Sequence, residues 1–153
     1  MIKAEIIEHS ISPSGVEIIT WVLEYPRFIH SEFMTHRGFS RNSASSRAIP
    51  IERMIQTIEE NPAMPIHWGK NQAGMQAKEE LQCGERIAAQ EEWMHAMTSA
   101  VQHSRNLHEL GVHKQIANRV TEPYQHMKVV MTTAESANWY WLRDHPDAQP
   151  EIS

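Results

Sequence analysis

The stretch Thr35–Arg47, THRGFSRNSASSR, holds three arginines (Arg37, Arg41, Arg47), one histidine, one asparagine and four serines, with no acidic side chain. A core helix or strand is not written this way, because buried arginines need partners and runs of small hydroxyls pack poorly. Guanidinium forks, hydroxyls and backbone N–H groups gathered together suit a phosphate, or a flat heterocycle with several acceptors. The alternative is a solvated basic loop. Whichever holds, regular structure must be sought on either side of this segment.

On the N-terminal side, Val16–Glu24 (VEIITWVLE) is β-branched and aromatic and reads as a strand, closed by Pro26. Phe28, Ile29, Phe33 and Met34 fall at helical intervals, so Arg27–His36 reads as a helix that delivers its polar end into the arginine-serine segment. On the C-terminal side Pro50 opens an amphipathic helix, with Ile51, Met54, Ile55 and Ile58 on one face. Asn61–Gly74 carries three breakers, Pro62, Pro65 and Gly69, and reads as a loop. From Gln76 to about Leu110 the spacing of Ile87, Met94 and Val101 predicts one long helix packed along a seam, with a bend near Gly84 and Gly111 as C-cap. Lys114–Val120 reads as a short helix ended before Pro123. His126–Thr133 reads as a second strand, and Glu135–Arg143 as a helix capped by Thr132 or Thr133. No internal repeat or low-complexity tract is present.

Size and composition bound the rest. A chain of 153 residues, 41% hydrophobic and 22% charged, fits one globular domain over residues 1–153. No apolar run approaches the roughly 18–20 residues of a membrane span, and the first residues lack a signal-peptide core. One cysteine, Cys83, excludes an internal disulfide framework and fits a cytoplasmic protein. A net charge of −5 argues against a duplex nucleic-acid binder and favours a small anionic ligand at a local basic patch.

Three motifs then occur in order. His36-Arg37, seven residues, Ser45 and then Arg47 form the first. Gly111-Val-His-Lys-Gln-Ile-Ala-Asn-Arg119 with Pro123 is the second. Asn138-Trp-Tyr-Trp-Leu-Arg143, followed by Ala148-Gln-Pro-Glu-Ile152, is the third. Together they resemble the signature blocks of the flavin-dependent thymidylate synthases. The resemblance implies an α+β (α/β) fold, an antiparallel sheet flanked by helices including one long helix, here short at both ends relative to the family. It implies reductive methylation of dUMP to dTMP, with FAD carrying the hydride, NADPH reducing it and methylene-tetrahydrofolate donating the carbon. It also implies a homotetramer with active sites shared between subunits.

Site residues follow from the same resemblance. Thr35, His36, Arg37, Asn42 and Asn138 fall where the family holds flavin, and Ser12, before Pro13, matches a flavin-contacting threonine. Glu32, Ser43, Ala44, Ser45, Ser46 and Arg47 fall at nucleotide-binding positions, and Arg119 does so if one residue of gap is allowed. Arg143 falls where a fixed positive charge faces the pyrimidine, so it is the expected catalytic residue. The bare-residue reading of Arg143 is a helix C-terminal cation.

The chain also departs from the pattern. Thr35 replaces an arginine, Ser43 a glutamate, Glu32 a glutamine, and Gly15 often an acid. These changes motivate two alternatives: hydroxymethylation of a deoxypyrimidine nucleotide, and a non-catalytic flavin- or nucleotide-binding module. Cys83 reads as a small buried helix residue rather than a nucleophile. No metal is expected, since Glu92-Trp-Met-His95 is a single Glu-x-x-His where a di-iron bundle needs two, and His103, His108 and His113 are scattered around a helix.

Overall fold

A computed structural model describes residues 2–153. Strand β1 (Lys3–Ile11) runs into β2 (Glu17–Pro26), followed by a 3-10 turn (Arg27–Ile29) and the short helix α1 (His30–Met34). Strand β3 (Ser40–Ser43) leads through a 3-10 turn (Ser46–Ala48) to helix α2 (Ile51–Glu60). Helix α3 (Cys83–Glu109) is followed by α4 (Lys114–Ala117), a 3-10 stretch (Asn118–Tyr124), β4 (His126–Thr133) and α5 (Ala137–Arg143). The four strands form one antiparallel sheet in the order β1-β2-β4-β3.

Alternation along β4 decides the faces of the sheet. Met127, Val129, Met131 and Thr133 are buried, while Lys128 and Val130 look the other way and are exposed. On the covered face, Tyr25, Phe33, Phe39 and Val129 pack with α1 and the half-buried Trp139 of α5. A second core lies among the helices, where Ile51, Met54, Ile55 and Ile58 of α2 meet Met97 and Val101 of α3, Ala117 and Tyr124. The opposite sheet face is more open along its middle. There Thr20 and Thr132 share a hydroxyl bond of 2.9 Å, with Ile18 and Val130 exposed.

Several expectations are corrected. The sheet has four strands, not two. The first, β1, is exposed at every residue and has a bulge at Ile7, so its sequence shows no hydrophobic alternation. The other missed strand, β3, lies inside the arginine-serine segment. As an edge strand it offers only backbone hydrogen bonds and needs no apolar face. The long helix begins at Cys83, not Gln76, because residues 68–81 close a small ladder (Lys70 N–H to the Glu79 carbonyl, 2.7 Å; Leu81 N–H to the Trp68 carbonyl, 2.8 Å). A capping box of Gln82 and Glu85 then starts the helix. Cys83 is exposed in its first turn rather than buried. Of the expected seam only Val101 is buried; Ile87 is 48% exposed. The helix ends as expected, with Gly111 at φ +79 and the Gly111 and Val112 N–H groups bonded back to His108 and Leu107.

The helix at Lys114 does not stop before Pro123. It tightens into a 3-10 stretch through Pro123, with the Thr121 hydroxyl and the Gln125 amide both donating to the Asn118 carbonyl. Helix α5 starts at Ala137, and Thr133 turns the chain just before it instead of capping it, accepting from the Glu135 N–H at 3.0 Å. Arg27–His36 divides into the 3-10 turn and α1.

Candidate active site

The C-terminal end of α1 exposes main-chain carbonyls, and two arginines from distant elements close on them. Arg143, the last residue of α5, donates to the Glu32 carbonyl at 3.3 Å and to the Thr35 hydroxyl at 3.2 Å. Arg41, on β3, donates to the Phe33 carbonyl at 3.3 Å and to the carbonyl of His36. Cations placed there compensate the helix dipole as well as the unpaired carbonyls. Aromatic rings complete the enclosure. The Arg143 guanidinium lies 5.3 Å from the Trp139 ring, and that of Arg41 lies 5.8 Å from Phe33. His36 sits between Phe39 at 4.3 Å and Trp139 at 5.3 Å. Burial first, then Arg41 and Arg143, push the His36 pKa below its usual 6.5, so this imidazole is neutral at pH 7. The Arg143 Nε is buried and has no partner among the described residues. An orphaned charged donor is costly unless something meets it.

A second group of predicted residues lies further along β3. Ser40 pairs with Thr132 and Ser43 with Val129, and the Ala44 N–H donates to the Lys128 carbonyl at 2.9 Å. Ser46 is buried, and its carbonyl accepts from the Asn118 side chain at 2.8 Å; the same amide reaches the Ile49 carbonyl at 3.0 Å. Ser45 and Arg47 are exposed beside it. At roughly 3.3 Å per strand residue, Ala44 stands about 13 Å along the chain from Ser40.

The fold thus gathers Glu32, Thr35, His36 and Arg143 into one cluster, and Ser43 to Arg47 into another. It leaves Arg37, Asn42 and Asn138 exposed. Ser12 closes the β1–β2 turn, its hydroxyl accepting from the Val16 N–H at 2.9 Å. Arg119 is exposed, 3.9 Å from Glu122, and does not reach the Ser46 turn; its neighbour Asn118 does. Arg41, Trp139 and Asn118 were not singled out from sequence. Arg41 lay in plain view within the basic segment, whereas only tertiary packing discloses the reach of Asn118.

These features define an α+β protein with a basic, aromatic-walled site at the end of an antiparallel sheet. The family model for thymidylate synthase complementing protein (Thy1) matches residues 4–153, and the chain belongs to that family, the one to which the three motifs point. Among solved structures, the UMP/dUMP methylase PolB from Streptomyces cacaoi bound with 5-Br dUMP superimposes with a TM-score of 0.76. It is 16% identical, over 99% of this chain and 85% of that one. The same methylase bound with 5-Br UMP gives a TM-score of 0.70 at 15% identity, over 87% of this chain and 71% of that one. At such identities the likeness is one of fold. No curated protein matches the sequence. No helix among the described residues is long and apolar enough to cross a membrane.

Proposed function

We propose that this chain is a flavin-dependent enzyme that methylates C5 of dUMP, with methylene-tetrahydrofolate as carbon donor and NADPH as reductant. Family membership supports the reading, and the observation that carries it is Arg143. Its guanidinium is fixed by the Glu32 carbonyl, the Thr35 hydroxyl and the Trp139 ring, yet its Nε is buried without a partner among the described residues. A rigid cation whose two bonds to the protein both use Nη2 fits the edge of a pyrimidine, where it would favour the anionic form of the base and so make C5 a better nucleophile.

The residues present also suit FAD. The half-buried rings of His36 and Trp139 offer flat surfaces, a neutral His36 can donate or accept, and Asn42 and Asn138 are exposed hydrogen-bonding groups. When bound, FAD supplies the hydride chemistry. His36, Arg37, Asn42 and Asn138 would hold it, and Ser43 to Arg47 would hold the nucleotide, with small side chains letting backbone N–H groups approach an anion.

Arg143 contacts the segment before β3, at Glu32 and Thr35, whereas Arg47 lies in the turn after β3. We therefore propose that sites form between copies, in a homotetramer. The wholly exposed edge strand β1, with Ile6, Ile7 and Ile11 in the open, supports this. FAD titration of the purified protein, with and without dUMP, followed by mass analysis of the product, tests the proposal. Bound flavin and a product heavier by one methyl group are expected. A protein that binds no FAD even with dUMP present would overturn it, and a hydroxymethyl product would establish the related reaction instead.

A further inference from the structure

Arg41 pairs with Met131 of β4. Along β3, Arg41 and Ser43 are half-buried while Ser40 and Asn42 are exposed, so the Arg41 side chain runs along the covered face of the sheet towards α1. One nitrogen, Nη1, donates to the Phe33 carbonyl at 3.3 Å and to the carbonyl of His36, with the Phe33 ring 5.8 Å from the guanidinium. No carboxylate lies within 4.0 Å of Arg41 among the described residues. A half-buried cation met only by carbonyl dipoles and a ring costs the fold free energy, and an apolar side chain of similar length would avoid that cost.

What the guanidinium holds is the turn that carries His36. The His36 ring lies 4.3 Å from Phe39 and 5.3 Å from Trp139. It also lies over Gly38, where a Cβ would stand 3.1 Å from Nε2, tighter than an ordinary contact. Neither ring nitrogen has a hydrogen-bond partner among the described residues, so packing alone places the ring. Its main chain is tied to β3 by the bond that its carbonyl accepts from Arg41. Three charged groups face the ring: Arg41 from β3, Arg143 from α5, and Glu135 from the turn before α5. Burial and the two arginines keep the imidazole neutral at pH 7, and Glu135 opposes them.

We infer that Arg41 is a positioning residue for the candidate flavin site: by clamping the end of α1 it fixes where the His36 ring stands. The inference rests on the flavin reading of His36 and adds a residue at an unspecified position of the first motif. A ring held in place loses little freedom when a ligand docks, so part of the ordering cost is met before binding. Arg41 touches no ligand in this role and acts through His36. The competing account is a helix-end cation that compensates the dipole of α1 and has no bearing on His36.

A double-mutant cycle on FAD affinity tests this, with Arg41→Gln and His36→Gln made alone and together. The titration of His36 is followed by NMR on the same proteins without flavin. Arg41→Gln should weaken FAD binding roughly tenfold in wild type but less than about twofold in the His36→Gln background. The His36 midpoint should rise towards 6.5 in Arg41→Gln, a movement that lost stability alone would not produce. Losses that add across the cycle would overturn the inference, as would an unmoved midpoint or an unchanged FAD affinity in Arg41→Gln. Should Arg41→Gln fail to fold, Arg41→Met, which suits the apolar surroundings, enters the same cycle. If wild type binds no FAD, the flavin reading fails by itself. A His36 midpoint that moves with Arg41 would then still uphold Arg41 as the residue that places the ring, and an unmoved one would remove that as well.

Discussion

At the Ser40 end of β3, Arg41 and Arg143 donate into main-chain carbonyls and lie against aromatic rings, so their geometry is set by the chain itself. Past Ser43, by contrast, Arg47 is exposed and Arg53 is bonded only to a neutral amide. One end is preorganised, with Arg143 bonded to the protein through Nη2; the other keeps whole cations in reserve. An electrostatic group that acts in a transition state benefits from being held before the substrate arrives. A group that captures a mobile anion needs mainly unspent charge. On the proposed function, the contrast would place chemistry at the first end and binding at the second, and substitutions can break it.

The largest effect is expected from Phe33→Ala. Phe33 is 2% exposed and touches Tyr25, Phe39 and Trp139, so the variant should lose about 3–5 kcal/mol of stability, measured by urea unfolding. A loss under about 1 kcal/mol would mean that the preorganised end is not rigid. Next, Arg143→Ala should lower turnover by roughly 100-fold or more while FAD stays bound. Arg143→Lys should fail as well, since an ammonium cannot reproduce the planar fork. Normal turnover in Arg143→Ala would reduce this residue to a helix-end cation.

Asn118→Ala should cost about 1–3 kcal/mol, because the buried carbonyls of Ser46 and Ile49 lose their donor. It should also weaken dUMP binding through the displaced turn; a stable variant with unchanged affinity would separate that turn from the ligand. Arg47→Ala should raise the Michaelis constant for dUMP roughly tenfold with little change in maximal rate, the signature of a residue that binds equally throughout. An equal loss in maximal rate would erase the distinction between the two ends.

The smallest effect concerns pH. His30, His36 and His126 are all held below their usual 6.5, burial being the leading cause in each case. The unfolded chain therefore binds more protons as pH falls through 6.5, so this contribution to stability is full above that value and is lost below it. Thermal midpoints should fall between pH 7 and pH 5. A flat profile would show that these rings are not desolvated as described.

Much of this arrangement was legible in the sequence. HMKVVMTT reads as a strand with the limits β4 has, and the spacing of Ile51, Met54, Ile55 and Ile58 gave α2 its buried face, because in both one side of a regular element is covered. The edge strands escaped notice for the converse reason. Lys3–Ile11 has no covered face, and Ser40–Ser43 is specified by backbone pairing with β4, which leaves no trace in side-chain pattern. In the site, the motifs pointed to Thr35, His36 and Arg143, which do meet. Asn118 bridging to Ser46 joins residues 72 apart in sequence, and Arg41 capping α1 stands at an unspecified position inside the first motif, so no local rule proposes either contact.

The most direct test of the contrast joins its two ends. Arg143→Ala and Arg47→Ala, each impaired alone when dUMP is held well below the Michaelis constant, would be co-expressed with different tags, and mixed oligomers isolated and assayed at that dUMP concentration. If each site takes its catalytic end from one copy and its binding end from another, mixed oligomers contain some sites with both arginines intact, and activity should return to a substantial fraction of wild type. Mixed oligomers no more active than the parent variants would contradict the account, placing both arginines in a site built by one chain.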